Sequence, residues 1–360
     1  MSSVSLFTFL FIFLQYFLPL ISTTTTQTPA PALYVFGDSV LDSGNNNHLL
    51  TIAKANYLPY GSNFVQGFTG RFTNGRTIAD FTAEFLGLPY SPPYLSMINR
   101  GSVPVTGLNF ASASCGILPE SGSTLGKCLH LDEQIDLFED TIKSKLPTYF
   151  DSSEKFSDYL SKSIFIISTG SNDYMCNYLQ PKFFNTSKIY APQPFAQLLI
   201  DALSPKLERL YNLGARKIVM FEIGAVGCIP AIKREGIKCV EDKNQLVSYF
   251  NDGLLAMLRN LTTTLKGSNF VLGHAHWLGY DAATNPSKYG LTNANNPCCT
   301  TWRNGESACI PFLKPCPKAD KFYFWDGFHP TEAVHSLIAS GCINNASVCI
   351  PVTLKDLVNM

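Results

Sequence analysis

The chain has 360 residues, and its 27 Lys+Arg balance its 27 Asp+Glu, so the formal net charge is zero. Hydrophobic residues make up 46% and charged residues only 15%, which excludes a disordered chain. The charge balance gives no attraction for nucleic acid or an anionic membrane surface. The length allows one large domain or two smaller ones, with enough chain to bury a sizeable core.

In chain order, the first feature is an apolar block from Leu6 to Ile21. It is short and interrupted for a membrane span, which needs about 20 residues. Residues 1–26 read as a signal peptide and Thr-rich leader, with removal in the stretch from Ser22 to Thr28. No Lys or Arg precedes the block, and an uncleaved anchor is the alternative. Residues 27–360 are expected to form a single domain. Leu33-Tyr34-Val35-Phe36 predicts a buried strand ending in a loop at Ser39. Thr77 to Gly87 predicts a helix with Ile78, Phe81 and Phe85 on one face, a Thr77/Asp80 capping box, and Gly87 and Pro89 as its stop. Leu131 to Leu146 predicts a second helix. Ile164 to Thr169 predicts a strand running into Gly170. Further helices are expected over Phe195 to Gly214, Glu241 to Lys266 and, closing the fold, Thr331 to Ser340. Lys217 to Phe221 and Asn269 to Leu272 read as strands. Apolar strands alternating with helices indicate an α/β fold with a parallel sheet covered on both faces. Ligands bind such sheets beyond the carboxyl ends of the strands. Ser39 and the Gly170-Ser171-Asn172-Asp173 loop both fall there.

Eleven cysteines, none in the leader, agree with an oxidising compartment. The absence of any C-x-x-C pair argues against a zinc ribbon or a thioredoxin-like site. Cys298, Cys299, Cys309 and Cys316 cluster on one long loop, and Cys115 with Cys128 and Cys228 with Cys239 are candidate local pairs. Connectivity stays open, and the odd count leaves at least one thiol unpaired or intermolecular. Sequons at Asn185, Asn260 and Asn345 add to the expectation of a secreted, extracellular protein.

The chemistry lies at the two ends of the chain. Asp326 precedes His329 by three residues, so both can share one turn, with the carboxylate reaching the ring N–H and the other ring nitrogen free to take a proton from Ser39. Taken singly, Ser39 reads as well as a helix cap, His329-Pro330 as loop and Asp326 as a turn residue. Acyl transfer also needs rigid N–H donors for the oxyanion. The candidates are the Ser39 amide, a glycine amide within Gly107-Leu108-Asn109-Phe110-Ala111, and the Asn172 side chain. Asp38 and Asp173 read as structural hydrogen-bond partners. His274 and His276 have the spacing of metal ligands on a strand, but nothing nearby completes a site. His48, His130 and His335 have no motif around them. Phe322, Tyr323, Phe324 and Trp325 read as core rather than a sugar-stacking platform.

Gly37-Asp38-Ser39-Val40-Leu41-Asp42-Ser43-Gly44-Asn45-Asn46 resembles the first block of the GDSL esterase/lipases of the SGNH hydrolase superfamily. Gly107 to Ala111 resembles the second block, Gly170 to Asp173 the third, and Asp326 to Pro330 the fifth. Gly70-Arg71-Phe72-Thr73-Asn74-Gly75-Arg76-Thr77 and Gly224 to Pro230 resemble the secreted plant branch. The likeness runs from about Leu33 to Cys342, and Val40 departs from the Leu of the family's name. The resemblance implies a flavodoxin-like three-layer α/β/α fold, no metal or cofactor, and a site more open than in lidded lipases. It implies Ser39 as nucleophile and first oxyanion donor, Gly107 and Asn172 completing the hole, His329 as base then acid, and Asp326 orienting it. The expected partner is an ester, either a lipid or an acylated carbohydrate, handled by a monomer without a membrane span. Transfer of the acyl group to an alcohol is the near alternative. A catalytically silent wall or surface protein is the distant one, and an ordinary α/β-hydrolase lacks its G-x-S-x-G elbow.

Overall fold

A computed structural model describes residues 29–98, 100–233, 239–302, 305 and 307–360. The expected leader, residues 1–26, lies outside the described residues. Four strands, β1 (Leu33–Gly37), β2 (Ile164–Ser168), β3 (Lys217–Phe221) and β4 (Asn269–Gly273), stand in that order, all parallel. On the free side of β1 runs the segment 106–112. Leu33 and Val35 N–H donate to the Thr106 and Leu108 carbonyls, and Phe110 and Ser112 N–H donate to the Val35 and Gly37 carbonyls. Counting that segment second in the chain gives the order 2-1-3-4-5, the flavodoxin-like arrangement. β5 (Asn293–Pro297) and β6 (Phe322–Phe324) form a separate pair, and β7 (Cys349–Ile350) closes the main sheet antiparallel to β4.

The sheet is buried on both faces because its strands carry large apolar side chains at successive positions, alternating in direction. Tyr34, Phe36, Phe165, Ile167, Ile218 and Met220 pack to one side. There they meet α2 (Leu131–Asp140), α3 (Ser153–Lys162), α4 (Pro192–Asn212) and α5 (Glu241–Thr264). Leu33, Val35, Ile164, Ile166, Val219 and Val271 pack to the other. That face is covered by α1 (Ile78–Leu86), α6 (Ala275–Thr284) and α7 (Glu332–Asn344).

Several boundaries differ from the sequence expectation for physical reasons. The helix expected to Leu146 leaves α-geometry after Asp140, passes through a π turn over Thr141–Lys145 and ends in a 3-10 turn over Leu146–Tyr149. Pro147 lacks an N–H and its ring would meet the carbonyl four residues back, so the α ladder cannot continue through it. The last helix runs on to Asn344 and is followed by β7, to which the Cys342–Cys349 disulfide ties it. α3 was not expected: it buries only Tyr159 and Leu160, too few apolar positions to show a period. Cys115–Cys128 and Cys228–Cys239 pair as anticipated. The loop cluster resolves into Cys298–Cys316 and Cys299–Cys309, and Cys176 is a free thiol. No described helix is long and apolar enough to cross a membrane. Asn185, Asn260 and Asn345 are all exposed.

Candidate active site

β1 and β2 are adjacent strands whose connections leave in opposite directions, so a crevice opens beyond their carboxyl ends. Ser39 enters it from β1, Asn172 from the turn after β2, and His329 from the loop before α7. His329 Nε2 lies 2.8 Å from Ser39 Oγ, and His329 Nδ1 lies 2.9 Å from both carboxylate oxygens of Asp326. The structure thus brings together groups 290 positions apart. Asp326 is fully buried and accepts further hydrogen bonds from the Phe328 and His329 N–H groups and from the Tyr60 hydroxyl at 2.6 Å. Burial pushes its carboxyl up, but His329, Tyr60 and the Phe328 amide more than offset this and hold it below the usual carboxylate range. An ionised Asp326 aimed at Nδ1 fixes the tautomer that leaves Nε2 free to accept a proton.

The loop that carries Ser39 is held rigid. At Gly37, φ is +132° and a Cβ would sit 1.9 Å from the Ser168 carbonyl oxygen, so only glycine lets β1 lie so close to β2 there. Gln134 of α2 donates to the Gly37 carbonyl and accepts from its N–H, both at 2.8 Å. Asp42 accepts from the Gly44, Asn45 and Ala113 N–H groups. His329 and the start of α7 are held from the other side by the Gly70–Thr77 stretch. The Phe72 ring sits 5.0 Å from the His329 ring. Asn74 Oδ1 accepts from the Glu332 N–H at the start of α7, and Arg76 pairs with the Glu332 carboxylate at 2.6 Å. Tyr60 and Gln134 escaped the sequence reading because each acts from a distant stretch with no motif of its own, while Phe72 falls in the quoted Gly70–Thr77 stretch without a role assigned there.

Asn172 lines the same cleft as Ser39 and His329. Its Nδ2 donates to the Cys115 carbonyl at 2.9 Å, and its Oδ1 accepts from the Cys176 thiol at 3.5 Å. Gly107 does not reach the cleft. It packs on Leu33, where a Cβ would come within 2.0 Å of the carbonyl oxygen. Leu33 is the first residue of β1, so Gly107 lies at the opposite end of the strand from Ser39, about 13 Å from Gly37 at the rise of an extended chain. The sequence reading took an oxyanion donor from this block; its hydrogen bonds to Leu33 and Val35 and its apolar Leu108 and Phe110 at alternate positions instead mark an extended segment beside β1. The rim is reached further on, where Ser112 N–H bonds the Gly37 carbonyl and Ser114 turns the chain at a left-handed φ of 70°. Gly107→Ala is therefore expected to lower the melting temperature by several degrees while leaving kcat per folded molecule unchanged. A large kcat loss with normal stability would return Gly107 to the site.

Asp38 and Asp173 behave as buried framework. Asp173 accepts from the Ile117 and Leu118 N–H groups and the Ser121 hydroxyl. Asp38 Oδ1 accepts from the Val40 N–H, while Oδ2 has no partner among the described residues. Burial pushes the Asp38 carboxyl up to about 7, against the pull of the Val40 amide and His329. Asp42 and Asp173 are pushed up to about 6, again mainly by burial. A raised carboxyl binds a proton in the folded chain that the unfolded chain has released, so its contribution is full below about pH 4 and is lost as pH rises to about 7. Asp38→Asn, which imitates the neutral form, should accordingly raise the melting temperature more at pH 8 than at pH 5. An equal or reversed gain in thermal scans at the two pH values would contradict the shift.

His274 and His276 stand not on a strand but at the start of α6. His274 Nδ1 lies 2.9 Å from Glu222 Oε1, and the His276 N–H donates to Glu222 Oε2 at 3.1 Å. Among the described residues the sole close grouping of three metal-type side chains is Cys115, Cys128 and His130, and its two cysteines are joined in a disulfide. Wider hollows occur elsewhere on the surface, beside Arg76 and Glu332 and beside Lys217 and Val358, but neither holds a histidine.

The GDSL-like Lipase/Acylhydrolase family matches residues 33–341. The chain belongs to this family. GDSL esterase/lipase 7 of Arabidopsis thaliana is 44% identical over 342 residues, covering 93% of this chain and 93% of that protein. A second Arabidopsis thaliana GDSL esterase/lipase is 40% identical over 346 residues, covering 95% of this chain and 89% of its own. Among solved structures, a phospholipase A1 from Streptomyces albidoflavus NA297 is 11% identical with a TM-score of 0.32, covering 85% of this chain and 95% of that one. Membership places this GDSL chain among carboxylic ester hydrolases.

Proposed function

We propose that this chain hydrolyses carboxylic esters through an acyl-enzyme on Ser39. The observation that carries the reading is His329 bridging Ser39 Oγ and the buried Asp326 carboxylate. Ser39 Oγ attacks the ester carbonyl carbon as its proton passes to His329 Nε2. Negative charge gathers on the carbonyl oxygen, where the Ser39 amide and the Asn172 side-chain amide supply donors. The tetrahedral intermediate collapses, the carbon–oxygen bond to the alcohol breaks, and His329 returns the proton to the leaving oxygen. Water then attacks the acyl-enzyme with His329 again as base, releasing the acid and restoring Ser39.

The same reading places the protein outside the cell. Five disulfides and three exposed sequons suit an oxidising, glycosylating route, and the apolar amino-terminal block supplies its address. The test of function is Ser39→Ala assayed on p-nitrophenyl acetate. Turnover should fall by at least about a thousandfold with an unchanged circular dichroism spectrum. Wild-type turnover in the folded variant would make Ser39 the wrong nucleophile.

A further inference from the structure

Asp326 and His329 sit on one turn whose bonds are largely its own. The Phe328 and His329 N–H groups and His329 Nδ1 all meet Asp326 Oδ1, so the carboxylate and the imidazole hold each other. Bonds inside a turn do not fix where that turn points relative to Ser39. Asp326 is fully buried, so its oxygens depend on protein donors rather than on bulk water. Among the described residues the Tyr60 hydroxyl is its one donor from outside the turn, 2.6 Å from Oδ2 and 266 positions away.

Tyr60 is itself fully buried and held from a third element. The Cys309 N–H donates to the Tyr60 oxygen at 3.2 Å, which leaves the single hydroxyl proton for Asp326. Burial, then the Asp326 charge, push this hydroxyl well above its usual range, so it stays protonated and keeps donating. Cys309 belongs to the excursion between β5 and β6, stapled by Cys298–Cys316 and Cys299–Cys309. That excursion also grips the chain on both sides of Asp326. The Cys299 N–H donates to the Trp325 carbonyl and the Gly327 N–H to the Ser307 carbonyl, both at 2.9 Å. Tyr57 ties Cys309 back to the Tyr60 loop: its hydroxyl donates to the Cys309 carbonyl at 3.1 Å, and its ring meets the Tyr60 ring edge-on at 5.2 Å.

We propose that Tyr60 is a positioning residue through which the disulfide-stapled excursion aims the Asp326–His329 pair at Ser39. The proposal rests on Ser39 being the nucleophile. The test is kcat and KM for p-nitrophenyl acetate in wild type, Tyr60→Phe, Cys299→Ser/Cys309→Ser and all three changes combined, with proton NMR of the His329 Nδ1–H···Asp326 hydrogen bond. Tyr60→Phe keeps the ring and its edge contact with Phe72, so the fold is retained. Its kcat should fall about tenfold or more, with KM within about twofold of wild type, and the downfield resonance of that hydrogen bond should shift. Removing the Cys299–Cys309 disulfide should also lower kcat. The combined variant should lose little more than Tyr60→Phe alone, because both changes act through one hydroxyl. A wild-type kcat and an unmoved resonance in Tyr60→Phe, whatever its melting temperature, would overturn the proposal, as would additive losses in the combined variant. If the disulfide-free variant does not fold, kcat and the resonance of Tyr60→Phe decide alone. Failure of the underlying reading looks different: Ser39→Ala would then keep hydrolysing the ester.

Discussion

His329→Ala is expected to lower kcat/KM by about 10⁵-fold or more, and Asp326→Asn by roughly a hundredfold less than that. The difference follows from what each group does. Among the described residues His329 is the hydrogen-bond partner of Ser39 Oγ, at 2.8 Å, so its removal takes away the group that accepts the serine proton. Without the Asp326 charge the imidazole is still present. The Phe72 ring against it, the Asn74 cap on α7 and the Trp325 N–H bond to the His329 carbonyl continue to hold its loop. An asparagine can still accept from Nδ1 and from the two backbone amides through one oxygen, while its NH₂ group must face either Tyr60 or the ring. What is lost is stabilisation of the imidazolium formed in the transition state. Steady-state kinetics on p-nitrophenyl acetate decides the matter, and a larger loss in Asp326→Asn than in His329→Ala would reverse the assigned roles.

Asn172→Ala should reduce kcat by about 10²–10³-fold with little change in KM, because an oxyanion donor acts on charge that appears only in the transition state. The orientation of this amide is fixed from both ends. Cys115 presents a carbonyl to Nδ2, and the Cys176 thiol, which burial pushes up to about 12, stays protonated and donates to Oδ1. Turning the amide over would set donor against donor and acceptor against acceptor. Asn172→Asp preserves the shape but replaces the N–H donor with negative charge, so it should cost at least as much as the alanine change. A purely structural asparagine would show the opposite order, since aspartate conserves the volume. Equal kcat in wild type and Asn172→Asp would remove Asn172 from the oxyanion site.

The sheet was legible because its strands are dense in apolar β-branched and aromatic residues: Lys217–Phe221 was read to the residue, and β1 and β2 to within one. α1 was equally clear, since Thr77 and Asp80 start it and Gly87, in the left-handed conformation, ends it. Ser39, Asp326 and His329 were legible because an acid three residues from a histidine makes local sense and the serine block is distinctive. Gly107 was misplaced for a reason sequence does not expose. A block beside a strand can lie at either end of it, and only the register with β1 shows that Gly107 meets Leu33 while the chain reaches Gly37 at Ser112. Tyr60 was invisible for a different reason. It reaches Asp326 across 266 positions, and a tyrosine in a loop signals nothing until the fold supplies its partner. α6 was missed because its start, His274 to Tyr280, carries neither a strong cap nor a clear apolar stripe.

Ser39 alone is expected to become acylated, with His329 drawing off its proton. The most direct measurement is covalent trapping with a fluorophosphonate, followed by digestion and mass spectrometry of the peptides. A single adduct on Ser39 is expected, absent in Ser39→Ala and forming far more slowly in His329→Ala. An adduct on any other residue, or labelling of Ser39 at an undiminished rate without His329, would contradict it.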